Sequence, residues 1–189
     1  MNRRKSIGKL TILAGGIVLL SSGLLNACQF STKKRTELTE NDIPLLDEIG
    51  ETIIPETISS PGAKATMIGA FMVSMVNDCF NAMQKNIFIQ GLNTFDEYCQ
   101  QKYKNAFIKL DSFQKKEFLI QLDTELKQNI KLGKTPTGEH YLNMLKQLTI
   151  KGYFTSEIGA KKALRYDVVP GKYEGCIEYK KGDKPWATA

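Results

Sequence analysis

The side chains in this sequence that are best suited to catalysis or metal binding are a single histidine and four cysteines. His140 follows Glu139, a pair that could move a proton, yet no nucleophile or second base stands at helical spacing from it. Beyond Cys28, no cysteine lies within two to four residues of another cysteine or of His140, the spacing that zinc sites use. The sequence therefore predicts no catalytic residue and no metal site.

Two of the cysteines, Cys79 and Cys99, share helical faces with apolar residues and are predicted to point into the core. A disulfide between them requires two antiparallel helices joined by a turn near residue 89. A turn near residue 85 would separate them by about 12 Å along the helices, too far for a bridge. Cys176 is then the unpaired thiol, either free or bonded to a partner chain.

Composition argues against two further classes of ligand. A dinucleotide site needs glycines at a strand-to-helix turn, and the close pair Gly15-Gly16 lies in the N-terminal apolar segment. Four of the basic residues that give the formal charge of +6 lie in positions 1–27. The rest of the chain has 22 basic and 20 acidic residues. These later charges are interleaved, which is typical of solvated helix faces and not of nucleic-acid binding.

Residues 1–27 have the three-part layout of an export signal, with a basic start and a short apolar stretch before Ala27. Arg3-Arg4 resembles the twin-arginine signal for folded proteins, although an ordinary start for the general secretion route fits as well. Leu25 to Cys28 resembles a lipobox, which makes Cys28 the predicted lipidation site. The alternative is an ordinary signal followed by a coincidental cysteine. Acyl chains on Cys28 would hold the chain at a membrane, with residues 28–37 as a tether.

Apolar residues then recur at three- and four-residue steps, which predicts an all-α bundle of about five to six helices. The first helix is predicted at about 40–54, ended by Pro55. The second opens at Pro61-Gly62-Ala63. Its main apolar stripe is predicted at Met67, Phe71, Met75 and Cys79, with Ile68, Met72 and Val76 beside it.

Three longer helices and one short one follow in the prediction. A third helix is centred on the residues around Leu92, a fourth begins at Ser112, and a fifth begins near Thr137. Thr155 or Ser156 caps a short sixth. The apolar stripes of the third, fourth and fifth helices are Phe88, Leu92, Phe95, Cys99 and Tyr103; Phe118, Leu122, Leu126 and Ile130; and Tyr141, Leu145 and Leu148.

The predicted helical domain covers residues 38–163 and is followed by an extended tail, 164–189, rich in glycine and aromatic residues. The tail is predicted to pack on a partner, which would leave it poorly packed in the isolated chain, or to fold back over its own bundle. The segment from Gly152 to Ala160 is also rich in glycine and aromatics, and we interpret it with the tail as a docking surface. The predicted contact residues are Gly152, Tyr153, Phe154, Gly159, Pro170, Gly171, Cys176 and Trp186.

Several segments, in order, resemble the gluconate 2-dehydrogenase subunit 3 family, and the likeness covers most of residues 38–186. The segments that carry the resemblance are Leu38-Thr39 with Asp42, Glu48 with Thr52-Ile53-Ile54-Pro55, Pro61-Gly62-Ala63, Gly91-Leu92, Leu110 with Phe113-Gln114-Lys115, and Leu148-Thr149 leading into Gly152-Tyr153-Phe154-Thr155-Ser156.

The resemblance implies a small, helical, exported accessory subunit that is not an enzyme by itself. Its partner would be a large flavoprotein dehydrogenase of sugars or sugar acids, which holds FAD and performs the oxidation, with a cytochrome c subunit or another acceptor taking the electrons. The small subunit would assist folding, export or anchoring of the large one in the periplasm or cell envelope. Because related small subunits can be disulfide-linked to their partner, Cys176 is a candidate link. The alternative function is a free-standing envelope lipoprotein that binds a ligand or another envelope protein.

Overall fold

The computed structural model describes residues 34–134, 140–169, 171, 175–176 and 178–187. Five α-helices make up most of this part: α1 (Ile43–Ile53), α2 (Ile68–Cys79), α3 (Ala82–Tyr103), α4 (Ser112–Lys131) and α5 (Tyr141–Thr155). A π-helical turn, Gly159–Ala163, follows α5. Within the described ranges, extended pairing is limited to the isolated bridges Thr57–Ser60 and Arg165–Trp186. The predicted all-α bundle is therefore confirmed.

The first helix begins where the sequence predicts it. A 3₁₀ turn, Glu40–Asp42, leads into α1, and the Asp42 carboxylate accepts a hydrogen bond from the Thr39 N–H at 2.9 Å. This satisfies a backbone donor that the start of a helix leaves without an intrahelical partner. At the other end, α1 stops two residues before Pro55, as a proline following a helix dictates.

The second helix corrects the prediction of its buried face. A 3₁₀ turn, Ala63–Thr66, ends at Met67, which adopts a left-handed backbone with φ of 54° and is 72% exposed. The helical register restarts at Ile68, so the side chains buried on α2 are Ile68, Met72 and Val76. The main stripe predicted through Met67 and Cys79 is wrong, because both residues are exposed.

The core of the bundle contains an aromatic cluster between α3 and α4. Phe118 of α4 packs edge-on against Phe95 of α3, with ring centroids 5.1 Å apart, and Phe107 lies 5.0 Å from Phe95. Edge-to-face pairs of this kind add to the stabilisation from buried area. The stripes predicted for the third and fourth helices face the core: Tyr103 and Ile130 are partly buried against it, and the other members are fully buried, namely Phe88, Leu92, Phe95, Cys99, Phe118, Leu122 and Leu126.

Helix α5 crosses α3 at very short range. A Cβ placed on Gly91 of α3 would lie 2.1 Å from Cγ of Tyr141, the first residue of α5. Leu145 and Leu148 of α5 are buried as predicted. Thr137, where the sequence places the start of this helix, lies outside the described residues, as do Arg3, Arg4, Cys28 and Pro170.

The chain is fixed to the bundle from Arg35 onward. The Arg35 side chain donates to Asp42 at 2.5 Å and to Asp96 of α3 at 2.6 Å, and its backbone N–H donates to the Asn93 side chain at 2.9 Å. Leu38 is buried nearby in sequence. The last three residues of the predicted tether, 35–37, therefore begin with an arginine that is held against the bundle. In the described part of the chain, every helix is too short or too polar to cross a membrane.

Candidate functional site

Three residues of the glycine–aromatic segment predicted to dock a partner are buried in the domain. Gly152 and Tyr153 are buried in the last turns of α5, and Gly159 is buried in the π-helical turn. A Cβ on Gly152 would lie 2.5 Å from Ile68 and Phe71 side chains, and one on Gly159 would lie 1.9 Å from the Tyr153 carbonyl oxygen. These glycines serve close packing. The prediction that Gly152, Tyr153 and Gly159 form contact surface is therefore wrong, whereas Phe154 is 38% exposed.

Tyr153 instead forms hydrogen bonds to the loop between α1 and α2. Its side chain is 2% exposed, and its hydroxyl donates to the Pro61 carbonyl at 2.7 Å and lies 2.5 Å from Ser60 Oγ. Ser60 and Pro61 belong to the connection between α1 and α2, more than 90 residues away in the sequence. A buried phenol hydroxyl with two hydrogen-bond partners holds this connection against α5.

The α1–α2 loop, residues 54–62, is closed by hydrogen bonds at its base and its tip. At the base, Ala63 N–H donates to the Ile54 carbonyl at 2.9 Å. At the tip, Thr57 N–H donates to the Ser60 carbonyl at 2.9 Å, which leaves Ile58 fully exposed. The loop therefore presents a branched apolar side chain on an ordered turn.

Glu51 holds the same loop through its carboxylate. It accepts from the backbone N–H groups of Glu56 and Lys64, both at 2.9 Å. A Cβ on Gly62 would lie 2.1 Å from this carboxylate, so the absence of a side chain at position 62 lets Glu51 reach across the loop.

Glu48 joins α1 to the flanking elements. Its carboxylate accepts from Lys64 at 2.5 Å and from Lys115 of α4 at 2.7 Å, and the Glu48 side chain is only 19% exposed. Burial would raise the pKa of Glu48, but the hydrogen bonds and charges of Lys115 and Lys64 outweigh it and lower that pKa.

A testable consequence is a pH-dependent stability. The folded-state pKa of Glu48 lies below its ordinary value of 4.5. The stability that the ionised Glu48 carboxylate adds to the folded state is therefore fully present above pH 4.5 and is lost as the pH falls through the folded-state pKa. We expect Glu48→Gln to lower the free energy of unfolding by about 1–2 kcal/mol at neutral pH, with the difference shrinking in acid. Urea unfolding of the wild-type and Glu48→Gln chains at several pH values measures this difference in the free energy of unfolding.

The matched control for this prediction is Glu117→Gln. Glu117 pairs with Lys102 at 3.2 Å, but its side chain is 52% exposed. We expect a change within about 0.5 kcal/mol. An effect of Glu48→Gln that stays constant into acid would contradict the role assigned to the carboxylate.

Between the end of α1 and the start of α4 lies an open groove of ≈ 770 Å³. Its apolar part comes from Ile53, Pro55 and Phe113, and the Phe113 side chain is 74% exposed. The charged side chains at this groove and around Gly62 are balanced, with three carboxylates and three amines. They are Glu48, Glu51, Glu56, Lys64, Lys115 and Lys116.

Two of the six segments that carry the family resemblance line this groove, and two more adjoin it. Glu48 to Pro55 forms one wall, Phe113 and Lys115 the other, and Pro61-Gly62-Ala63 lies against Glu51. Tyr153 supports the adjoining loop. We call Ile58 together with the groove-lining residues Ile53, Pro55 and Phe113 the loop–groove surface. The sequence identifies these segments, but it does not indicate that two of them line one groove.

The other predicted contact residues lie in the tail, where the described part folds back on itself. Arg165 N–H donates to the Pro185 carbonyl at 2.8 Å, and the Arg165 guanidinium lies 4.0 Å from the centre of the Trp186 ring. Trp186 remains 41% exposed. Gly171 and Cys176 are exposed as well. These residues are open to a partner, and a contact with one stays a prediction.

The three cysteines of the described ranges are free thiols. Cys99 is buried, as predicted, and burial raises the pKa of its thiol to about 11, so it is protonated and inert at neutral pH. Cys79 is exposed, which corrects its predicted burial. The turn between α2 and α3 falls at residues 80–81, and Cys99 lies 17 residues into α3, about 25 Å along the axis. This separation explains why the two are not bridged.

A second groove, of ≈ 380 Å³, lies beside His140 and Tyr141. His140 is half-buried and its Nδ1 accepts from the Leu142 N–H at 3.2 Å, so the ring caps α5. Burial lowers the pKa of His140, helped by the charge of Lys146, which keeps the imidazole neutral and suited to accept this bond. Among the residues that the structure covers, no three potential metal ligands cluster.

Comparison with known proteins supports the assignment made from these segments. Neither the curated proteins nor the solved structures gave a match. The model of a family described as gluconate 2-dehydrogenase subunit 3 matches residues 40–171, which include all five α-helices and the groove. Because this match covers well over half of the chain, the protein belongs to the gluconate 2-dehydrogenase subunit 3 family.

Proposed function

We propose that this chain is a non-catalytic small subunit that binds a large flavin-dependent dehydrogenase of sugars or sugar acids. The observation that carries the proposal is the family match over residues 40–171. Since the match extends through the whole bundle, the shared property belongs to the folded domain and not to one short motif.

In this proposal the chemistry is divided between chains. The large subunit holds FAD and oxidises the substrate, and a cytochrome c subunit or another acceptor receives the electrons. The small subunit contributes a folded surface that assists folding, export or anchoring of its partner. The loop–groove surface is compatible with such a role, because it carries charges of both signs and exposes the apolar side chains of Ile58 and Phe113.

The same proposal places the complex outside the cytoplasm. Arg3-Arg4 would direct export, and Cys28 would carry lipid at the membrane surface. Arg35 is only seven positions after Cys28 and is anchored to Asp42 and Asp96. Seven residues reach at most about 25 Å. A lipid at Cys28 would therefore keep the domain close to the bilayer.

The direct test is recovery of a C-terminally tagged chain from detergent-extracted membranes, followed by identification of the bound chains. We expect a large flavoprotein to co-purify. A Cys28→Ser chain is expected to lose the membrane association yet retain the flavoprotein. Recovery of the wild-type chain without any flavoprotein would contradict the proposal and favour the free-standing envelope lipoprotein.

A further inference from the structure

We propose that His140 is a pH-sensitive cap of α5, and that its protonation releases the first turn of this helix from α3. The device consists of the His140 ring, the Leu142 N–H that the ring binds, and Tyr141, which lies against Gly91 of α3. It is a conformational response built into this chain, so it goes beyond the proposed function and does not depend on it.

The first step is that the cap requires a neutral ring. Nδ1 of His140 accepts from the Leu142 N–H at 3.2 Å. A ring nitrogen accepts a hydrogen bond only while it carries no proton, and both nitrogens of an imidazolium are donors. Protonation therefore places a second N–H against that of Leu142. The added positive charge is also unfavourable at the N-terminal end of a helix.

The second step is that the ring binds a donor that the helix itself does not satisfy. The first N–H groups of an α-helix have no intrahelical carbonyl as partner. At the start of α5, the Asn143 and Met144 N–H groups bind the His140 carbonyl at 2.9 and 3.1 Å, bonds that do not involve the ring. The Leu142 N–H depends on the ring. Loss of the cap thus leaves this backbone donor without its partner.

The third step is the position of the capped turn in the core. Tyr141 and Leu142 are both buried. A Cβ on Gly91 would lie 2.1 Å from Tyr141 Cγ, so α3 and the first turn of α5 touch where α3 carries no side chain. The His140 ring lies next to that of Tyr141, with ring centroids 4.6 Å apart. Unwinding of this turn therefore exposes buried side chains and separates α5 from α3 at Gly91.

The fourth step is the set of titratable groups around the ring. Those that line the same groove as His140 come from α3, α4 and α5, and they are Glu97, Tyr98, Glu125 and Tyr141. The two carboxylates favour the charged ring, whereas burial and the charge of Lys146 oppose it and lower the pKa of His140. Burial raises the pKa of both tyrosines, that of Tyr141 to about 12, so neither phenol changes its charge near neutral pH.

The sign of the pH response follows from the position of the His140 pKa. Burial lowers this pKa below its ordinary value of 6.5, and Lys146, which also pairs with Asp123 of α4, adds to the effect. The stability that the neutral ring adds is therefore fully present above pH 6.5 and is lost as the pH falls through the folded-state pKa. Because His140 is the single histidine of the chain, the competing source of such a response is a carboxyl with a raised pKa, such as Asp96.

The test follows backbone amide exchange of the full chain by mass spectrometry, at neutral pH and at about pH 5, after correction for the intrinsic exchange rate. The reporting peptide covers the start of α5, and a peptide from α2 is the internal control. His140→Asn is the matched variant, because asparagine caps helices and gains no proton in this range. His140→Ala removes the cap at every pH. Deuterium uptake at the imidazole C2 position gives the pKa of His140 in the wild-type chain, and circular dichroism checks the folding of each variant.

We expect the α5 peptide of the wild-type chain to exchange about tenfold faster in acid than at neutral pH, and the α2 peptide to change by less than about twofold. The α5 peptide of His140→Asn should show no acceleration, and that of His140→Ala should exchange fast at both pH values. The same acceleration in His140→Asn would assign the response to a carboxyl and overturn the inference.

Three further results would also overturn it. The first is a wild-type chain whose α5 peptide exchanges at the same rate at both pH values, or no faster than its α2 peptide. The second is slow exchange of the α5 peptide at neutral pH in a folded His140→Ala chain. The third is a ring pKa at or above 6.5, or below about 4.5, in the wild-type chain. If neither variant folds, the wild-type exchange and the ring pKa decide the question.

Discussion

Tyr153→Ala is expected to lower the free energy of unfolding by about 3–5 kcal/mol, as for other large-to-alanine changes at fully buried aromatic residues. The side chain is 2% exposed, and its ring lies 5.1 Å from that of Phe154. Its removal leaves a cavity beneath the α1–α2 loop and deprives Pro61 and Ser60 of a partner. Equilibrium unfolding in urea, followed by circular dichroism, measures the loss.

The control for this prediction is Tyr153→Phe, which keeps the ring and removes only the hydroxyl. We expect about 1–2 kcal/mol of destabilisation, because the Pro61 carbonyl loses its buried donor. The loop should also exchange its amide hydrogens faster in the phenylalanine variant. If Tyr153→Ala changed stability by less than about 1 kcal/mol, the internal role assigned to the glycine–aromatic segment would be wrong.

Arg35→Ala is expected to cost about 2–4 kcal/mol, because it leaves Asp42 and Asp96 without their cation. The side chains of these two carboxylates are 9% and 18% exposed, so water compensates only in part. Burial already raises the pKa of Asp96, although the Arg35 charge and hydrogen bond oppose the rise. Denaturant unfolding of the wild-type and Arg35→Ala chains at neutral pH measures the difference in their free energies of unfolding.

The pH dependence supplies a second readout. Without Arg35 the pKa of Asp96 should rise further, and a raised carboxyl pKa means that folding loses stability as the pH increases through it. The cost of Arg35→Ala should therefore be greatest at neutral pH and smaller in acid, and Asp96→Asn should restore part of it. Lys34→Ala is the control, because Lys34 is 75% exposed and should change stability by no more than about 0.5 kcal/mol. An Arg35→Ala effect as small as that of Lys34→Ala would contradict the anchoring.

The helices could be predicted because their signals are local. Apolar spacing identifies α3. The N-cap of α4 lies one residue before the predicted position, since Asp111 and not Ser112 accepts from the Gln114 N–H. The left-handed backbone at Met67 has no such signal, since a methionine in that conformation is unusual. The α-helix begins after that residue, at Ile68, and the fully buried side chains are Ile68, Met72 and Val76, whereas Phe71 and Met75 of the predicted main stripe are only partly buried.

The site could be predicted only in part, because its contacts join distant parts of the sequence. Tyr153 meets Ser60 across 93 positions, and Arg35 meets Asp96 across 61. The sequence identified the segment around Tyr153 as unusual, yet Gly152, Tyr153 and Gly159 serve internal packing. Ile58 lies between the first two predicted helices and Phe113 lies off the predicted apolar stripe of the fourth helix, and the structure shows that both side chains are exposed.

We propose that the chain acts as the small subunit of a flavoprotein dehydrogenase and does not oxidise sugars itself. The most direct measurement is sugar oxidation with an artificial electron acceptor in the exported fraction of cells that express the companion flavoprotein with or without this chain. We predict activity in that fraction only when both chains are present, and none from the purified chain alone. Equal exported activity without the chain, or sugar oxidation by the chain alone, would contradict the claim.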